Sequence, residues 1–532
     1  MEAPAQSDSG TPQPKAAAYA RLVAAGILLS RIAGLIRERI FAQYFGTSLA
    51  ADAFKAALRG PNVLQNLLGE GTLSASFIPV YSELLAQGRK EEAGRVAGAV
   101  FALLLAIAGL LSLIGIALAP VVVSVLTPGF EGEKRELTIA AIRIIFPMTG
   151  TLVLSAWALG ILNSHRRFFL AYVAPVLWNA AMIATLLYFG SRQAQNDLVT
   201  TLAWGAFIGG LLQFAIQLPR VRRLEPNLRI RWAPRMPGVR TVIRNAGPAI
   251  MGRGVVQLSG YLDLVLASLL ATGAYATITY ASTLYLLPYS LFGMSIAAAE
   301  LPELSRQRQA ARDVLRNRVS DGLRELIVFI VPSFVAFILL GDIIVAALYQ
   351  TGEFDRANTL LVWAVLAAYA IGLLASTSTR LYNSAFYALQ DTKTPAKVAA
   401  ARVVIAVTIA AGLMFLLQRV TVAGQPLGPV GIALGAGVGA WFEFFVLRRS
   451  LGRQLDGPPG SGGGRLARLL LAAIVAALIG RAIDWFLPPL HPILLAVLVL
   501  IPFGVVYFGL ARLLGVPEAA AATDRILRRL RR

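Results

Sequence analysis

The chain is built of long apolar blocks separated by shorter polar stretches. A bilayer core needs about 20 residues of helix, and fourteen blocks reach that length. They lie near 18–44, 50–85, 94–126, 137–163, 169–190, 198–218 and 240–271, then near 274–303, 320–349, 357–390, 394–417, 428–450, 466–486 and 493–514. Each is read as a transmembrane helix. Several are longer than the bilayer requires, so tilt, kinks or extensions into water are expected. Gly60–Pro61 and Gly69–Gly71 interrupt the second block, and Pro288 interrupts the eighth. Such breaks are tolerated at membrane depth where the backbone is buried or lines a wet cavity.

The polar stretches alternate in basic charge. One side receives Arg89–Lys90, Arg166–Arg167, the cluster between Arg220 and Arg244, Arg306–Arg318, Lys393–Lys397, Arg448–Arg468 and the tail from Arg525. The other receives mainly Lys134, Arg135, Arg192, Arg356 and Arg419. That asymmetry places both termini in the cytoplasm, which requires an even number of spans. An Arg-dense stretch (219–239) and a Gly/Pro-rich one (452–465, expected as a flexible linker) divide the array. The resulting organisation is a polar tail (1–16), a first lobe (17–222), a basic loop (223–239), a second lobe (240–451), the linker (452–465), a helix pair (466–514) and a basic tail (515–532). The expected fold is an all-α polytopic membrane protein with about 14 transmembrane helices, two pseudo-symmetric six-helix lobes and a C-terminal helix pair. In transporters with such repeats, substrate sites lie between the repeats near the midplane.

Composition supports the membrane class and removes others. Of 532 residues, 57% are apolar and 14% charged, against about 45–50% and about 25% in a soluble domain; mean hydropathy is +0.67. There is no Cys, so disulfides, thiolate nucleophiles and Cys-ligated metals are excluded. The two histidines, His165 and His491, are far apart and have no ligand-like neighbourhood. The net charge of +21 follows the loop bias. No basic, aromatic-interleaved soluble domain exists to bind nucleic acid. Nothing resembles a Walker A loop, which leaves membrane potential, an ion gradient or substrate supply as energy sources. Each elementary charge moved is worth about 2.3 kcal/mol per 100 mV.

A charge inside a span costs about 2.5–3.5 kcal/mol at the centre on insertion scales and is a functional candidate by default. The first block holds Arg31, Arg37, Glu38 and Arg39; the second holds Asp52, Lys55 and Arg59, then Asn62, Gln65, Asn66 and Glu70. Arg31, Arg37 and Arg59 are expected to line a water-filled cavity, with Asn62 and Gln65 as further substrate contacts. Glu38, Asp52 and Glu70 are expected as gating or charge-pair groups. Interfacial snorkelling is the alternative for Arg39, Asp52 and Lys55. In the seventh block, Arg253 and Gln257 share a face, and Arg253 is suited to an anionic ligand or a carboxylate partner. Asp263 suits coupling to a cation or proton, with burial in neutral form or pairing to an Arg as the alternative. Glu300 and Glu303 flank Pro302 and read as interfacial. An Arg-rich cavity favours an anionic substrate, because the guanidinium fork matches phosphate and pyrophosphate.

Several stretches then carry a family pattern. SRIAGLIRERIFAQYFGTSLAADAF (30–54) and PNVLQNLLGEGTLSASFIPVYSE (61–83) resemble the N-terminal signature of the MurJ (MviN) lipid II flippases, within the multidrug/oligosaccharidyl-lipid/polysaccharide exporter superfamily. TPGF (127–130), GILNSHRRFFLAYVAPVLWN (160–179), GPAI (247–250) and FYALQDTKTP (386–395) follow in the expected order. The resemblance implies fourteen helices, a terminal pair forming a lipid-accommodating groove, and export of undecaprenyl-pyrophosphate-linked disaccharide-pentapeptide across the bacterial inner membrane by alternating access. Lipid II, membrane lipids and cell-wall synthesis proteins are the implied partners.

By the same resemblance, Arg31 and Arg37 match cavity arginines, Glu38 stands where the family usually has Asp, and Asp52 and Glu70 match acidic positions. Gln65 stands where many members have Arg, and Ser282-Thr283 replace an Asp-Arg pair. Asp263 matches an acid associated with sodium, but its expected partners are Ala406, Ala410 and Ala436, so an incomplete sodium site is expected. Arg59 and Arg253 are additional cations that would compensate for those absent at Gln65 and Thr283. No resident cofactor is expected beyond coupling to a monovalent cation, sodium or proton. The alternatives are a flippase for another lipid-linked oligosaccharide, a multidrug exporter, and a non-transporting scaffold in envelope assembly.

Overall fold

Hydrocarbon offers no partner for backbone N–H and C=O groups, so apolar blocks of this length satisfy them internally, as helices. The computed structural model describes the backbone of residues 14–306, 312–460 and 462–530, and side chains from residue 25 onward except 249, 252–259, 298–299, 301–302, 525–527 and 529–530. The helices are α1 (Pro14–Phe45), α2 (Leu49–Leu68), α3 (Glu70–Ala86), α4 (Lys90–Ala117), α5 (Ala119–Leu126), α6 (Gly132–Ser164), α7 (Phe168–Phe189), α8 (Gln195–Leu224), α9 (Pro237–Ser268) and α10 (Ala274–Pro288). After a π-helical turn at Tyr289–Met294 come α11 (Ser295–Arg306), α12 (Arg312–Leu339), α13 (Gly341–Tyr349), α14 (Arg356–Ile371), α15 (Leu373–Ala388) and α16 (Lys393–Leu417). A two-residue hairpin pairs Thr421–Val422 with Gln425–Pro426, and α17 (Gly428–Gln454), α18 (Gly463–Phe486), α19 (Pro492–Leu513) and α20 (Pro517–Leu530) complete the chain.

Among the described residues, nine helices are each long and apolar enough to cross a membrane: α4, α6, α7, α8, α12, α16, α17, α18 and α19. The pair α14–α15, bent by 42°, makes a tenth if counted as one span. Asp52, Lys55 and Arg59 keep α2 from qualifying by apolarity alone.

Two apolar blocks are broken at positions not expected from the sequence. Leu118 divides α4 from α5, and Leu340 divides α12 from α13. Of the predicted breaks, Gly60–Pro61 leaves α2 continuous, whereas Gly69 ends it. The Gly69 N–H reaches the Gln65 carbonyl at 2.7 Å, and a Cβ there would lie 2.3 Å from that oxygen. Only glycine permits so close a turn. Pro288 is followed by the π-helical turn, a local accommodation of an interrupted hydrogen-bond ladder.

The chain divides into two compact units. The first comprises the described residues up to Tyr44 and Ala53–Gly260; the second comprises Phe45–Asp52 and the described residues from Tyr261 onward. In the first, Phe77, Tyr81 and Trp157 are fully buried in a core shared by α3, α4 and α6, and the Trp157 indole donates to the Ala97 carbonyl at 3.1 Å. In the second, α16 and α17 approach at Gly431, Gly435 and Gly439. Asp342 of α13 is ion-paired to Arg481 of α18 and to Arg356 of α14 (3.1 Å), and Tyr507 of α19 donates to the Val328 carbonyl of α12 at 2.7 Å. These contacts dock the C-terminal pair on the second unit.

The stretch expected as a flexible linker is tied down. Gly457 N–H bonds the Gly452 carbonyl (2.9 Å), Arg316 bonds the Asp456 carbonyl (2.8 Å), and Gly460 N–H bonds Ser320 (3.2 Å). The basic tail likewise carries an element not read from sequence: α20 buries Ala519 and Ala522 and pairs Asp524 with Arg512 at 2.7 Å.

Candidate functional site

In the first unit, α1 and α2 bring charged groups of both signs together. The Glu38 carboxylate accepts from Arg37 at 2.6 Å and from Lys55 at 2.8 Å. Lys55 is 7% exposed, so its ammonium is buried on Glu38 instead of snorkelling; it also lies 4.8 Å over the Phe41 ring. Arg37 stacks 4.8 Å from the Trp178 ring centroid, and the Trp178 indole is fixed by donation to the Ala206 carbonyl at 3.1 Å. Arg59 reaches the Gly260 carbonyl at 3.4 Å. Arg31 is exposed on α1 beside exposed Leu28 and Ile32; Asn62 and Gln65 are half-buried on α2; Glu70 is exposed in the first turn of α3. Between residues 31 and 70, five cations (Arg31, Arg37, Arg39, Lys55 and Arg59) stand against three carboxylates (Glu38, Asp52 and Glu70), an excess that suits an anion with several oxygens.

In the second unit, Asp52 is buried at 1% exposure, which removes the interfacial alternative for it. Its carboxylate accepts from the backbone N–H groups of Gly273 and Ala276, both at 2.8 Å, at the start of α10. Asp263 is half-buried, and its charge acts on the Tyr369 hydroxyl. The hydroxyls of Ser282 and Thr283 turn back onto the Thr279 carbonyl at 3.0 and 2.8 Å. Glu300 pairs with Arg318 at 2.6 Å and Glu303 with Arg306 at 3.3 Å. The side chains of Arg253 and Gln257 lie outside the described residues.

Sequence reasoning missed a second polar cluster. Arg402 of α16 donates to the buried carboxylate of Glu443 on α17 at 3.2 Å. Arg380 of α15 bonds the Tyr289 hydroxyl and lies 5.1 Å from that ring's centroid. Tyr285 stacks near Tyr289 and Tyr369 and shares a 2.6 Å hydrogen bond with Ser376. The signal was available, since all three charges sit within apolar blocks and meet the criterion that singled out Arg31 and Asp263.

Outside the spans, His165 follows α6 with its Nε2 3.0 Å from the Tyr81 hydroxyl, which donates to Glu225 at 2.7 Å. Burial holds the imidazole pKa below its usual 6.5; Glu225 opposes this, and Arg167 and Lys90 reinforce it.

Comparison with known proteins identifies the family. The family model described as lipid II flippase MurJ matches residues 41–501. A lipid II flippase MurJ of Burkholderia cenocepacia is 33% identical over 508 residues, covering 92% of this chain and 96% of that protein. A probable lipid II flippase MurJ of Rhizobium tropici is 33% identical over 445 residues, covering 81% of this chain and 80% of its own. Among solved structures, a lipid II flippase MurJ in an inward closed conformation aligns with a TM-score of 0.74 at 23% identity, over 93% of this chain and 98% of that one. An inward-facing multidrug resistance MATE transporter of the MOP superfamily aligns at 0.63 and 19% identity, over 80% of this chain and 95% of that one. These likenesses and the apolar helices define a multi-pass membrane protein. By the extent of the family match and the identity to curated relatives, the chain belongs to the MurJ family of lipid II flippases.

Proposed function

We propose that this protein is a lipid II flippase, moving undecaprenyl-pyrophosphate-linked muropeptide from the cytoplasmic to the outer leaflet of the bacterial inner membrane by alternating access. Family membership supports the substrate class. The observation that carries the mechanism is the excess of cations along α1 and α2, of which Arg31, Arg37 and Arg59 would engage the pyrophosphate while Glu38 holds Arg37 and Lys55 in place. Asn62 and Gln65 are neutral contacts on the same helix as Arg59, and Arg253 is a further candidate cation. The full reading is fourteen spans in two six-helix lobes (17–222 and 240–451) plus the pair 466–514, with both termini cytoplasmic, as the loop charges favour. A substrate with two negative charges leaving a negative interior draws on the membrane potential.

Cation coupling, where it contributes, would run through Asp263. The residues present do not fit sodium: Ala406 and Ala410 are packed against Gly439 and Gly435, and neither they nor Ala436 offers a side-chain oxygen. A proton on Asp263 is the reading left.

Complementation of a flippase-depleted strain tests the site. Arg37→Ala and Arg59→Ala should each fail to restore growth and should let lipid II accumulate, because each loses a charge-assisted contact. Full activity in both variants overturns the role given to these cations, and intact function on replacing Arg31 and Arg37 together supports a scaffold instead. Gln65 and Ser282-Thr283, which lack the cations that the resemblance leads one to expect, favour a second reading as a flippase for another lipid-linked oligosaccharide. Direct binding of the purified protein to lipid II, compared with undecaprenyl-linked glycans, separates the two.

A further inference from the structure

Trp441, Phe445, Arg449 and Arg453 recur at every fourth residue and run along one face of α17, aromatic first and basic last. The two rings stack with centroids 5.5 Å apart, and Phe445 is 56% exposed. Such an order matches a lipid's own profile: apolar chain, then glycerol, then phosphate. The opposite wall is supplied by the chain leaving α17. It doubles back through Gly457 (φ +147°), so that Pro458 packs over Gly452, where a Cβ would lie 3.0 Å from the Pro458 Cα. The return is held by Arg448 Nε on the Pro459 carbonyl (3.3 Å) and by Arg312 on the Asp456 carboxylate (3.0 and 3.2 Å).

The result is a recess of about 590 Å³ lined by Phe445, Arg448, Arg449, Gly452, Arg453 and Pro458. Its lining holds three guanidiniums and no carboxylate, and the nearby Asp456 is taken by Arg312. Among the described residues, Arg449 and Arg453 enter no ion pair. The C-terminal end of α17 carries only about half a negative charge, far less than three guanidiniums supply.

We propose that this recess binds the headgroup of one anionic phospholipid, with its phosphodiester between Arg449 and Arg453 and an acyl chain along Phe445 and Trp441. Basic pockets at the end of a transmembrane helix suit such headgroups. The apolar floor favours a lipid over free phosphate, and the lack of a carboxylate disfavours the choline ammonium of a zwitterionic lipid. The site is separate from the groups assigned to the transported substrate, so it stands or falls independently of the flippase reading.

The test uses the full chain in detergent, titrated with phosphatidylglycerol and with phosphatidylcholine and read by native mass spectrometry. Arg449→Gln with Arg453→Gln should weaken phosphatidylglycerol binding about tenfold or more. The control Arg222→Gln with Arg223→Gln removes the same charge from the exposed end of α8 and should leave it unchanged. Equal losses in both double variants, or none in the first, overturn the proposal. So does competition by glycerol phosphate as effective as that of the lipid.

Discussion

Asp52 is a buried carboxylate that accepts from backbone N–H groups. The first turn of a helix leaves N–H groups without intrahelical acceptors, and Asp52 takes two of them, from Gly273 and Ala276. Asp52→Ala would leave buried donors unmet, at about 1–3 kcal/mol, while Asp52→Asn keeps an acceptor and should cost less. Thermal unfolding of the two variants in detergent checks the order; equal midpoints would contradict it. His165 gives the pH dependence. Its folded pKa lies below 6.5, so above 6.5 it is neutral in both states. As pH falls below 6.5 the unfolded chain takes up the proton first, and stability is lost progressively until pH passes the lowered folded value. A series of melts across pH 6.5 should show this decline in the parent protein and less of it in His165→Gln. Identical slopes would remove His165 as its source.

At the scale of elements, α16 and α17 show what a close approach demands. A Cβ at Gly435 would lie 2.6 Å from the backbone N of Ala410, and one at Gly439 would lie 2.8 Å from the Ala406 Cβ. Neither neighbour can swing aside, so Gly435→Leu should force the helices apart and cost about 1–3 kcal/mol or more. Gly412, on α16 with no atom near its would-be Cβ, is the counterpart: Gly412→Ala should be neutral or stabilise by about 0.5–1 kcal/mol through helix propensity. Denaturation midpoints of the pair decide it. The same pair explains the limits of reading elements from sequence. Apolar length marks α16 and α17 as helices, and a glycine at every fourth position of α17 marks a contact face. The break at Leu118 is followed by Pro120 in the first turn of α5, a local helix-start signal, whereas Leu340 itself carries no such mark.

Across the whole molecule, Asp342 anchors the terminal helix pair. It is 5% exposed and meets Arg481 from α18 and Arg356 from α14. Its arginine partners are partly solvated, so removing the carboxylate costs the charged hydrogen bonds, about 1.5–3 kcal/mol, and strands no buried charge. Asp342→Ala should therefore loosen α18 and α19, seen as faster proteolysis within residues 455–460; an unchanged cleavage rate would show that apolar packing alone holds the pair. The anchor was not legible beforehand, since Asp342 and Arg481 are 139 residues apart and each alone reads as an interfacial charge.

The sequence by itself determined that this is a helical membrane protein with charged groups inside its spans, because apolar length and the cost of burying charge are local properties of the chain. It also carried the MurJ pattern, legible in contiguous stretches such as 30–54 and 160–179. Only the tertiary structure decided what each charge does: Lys55 on Glu38, Asp52 on the start of α10, Arg402 on Glu443. Ion pairs and caps form between segments that are distant in sequence, and a charge's partner depends on where the other helices lie.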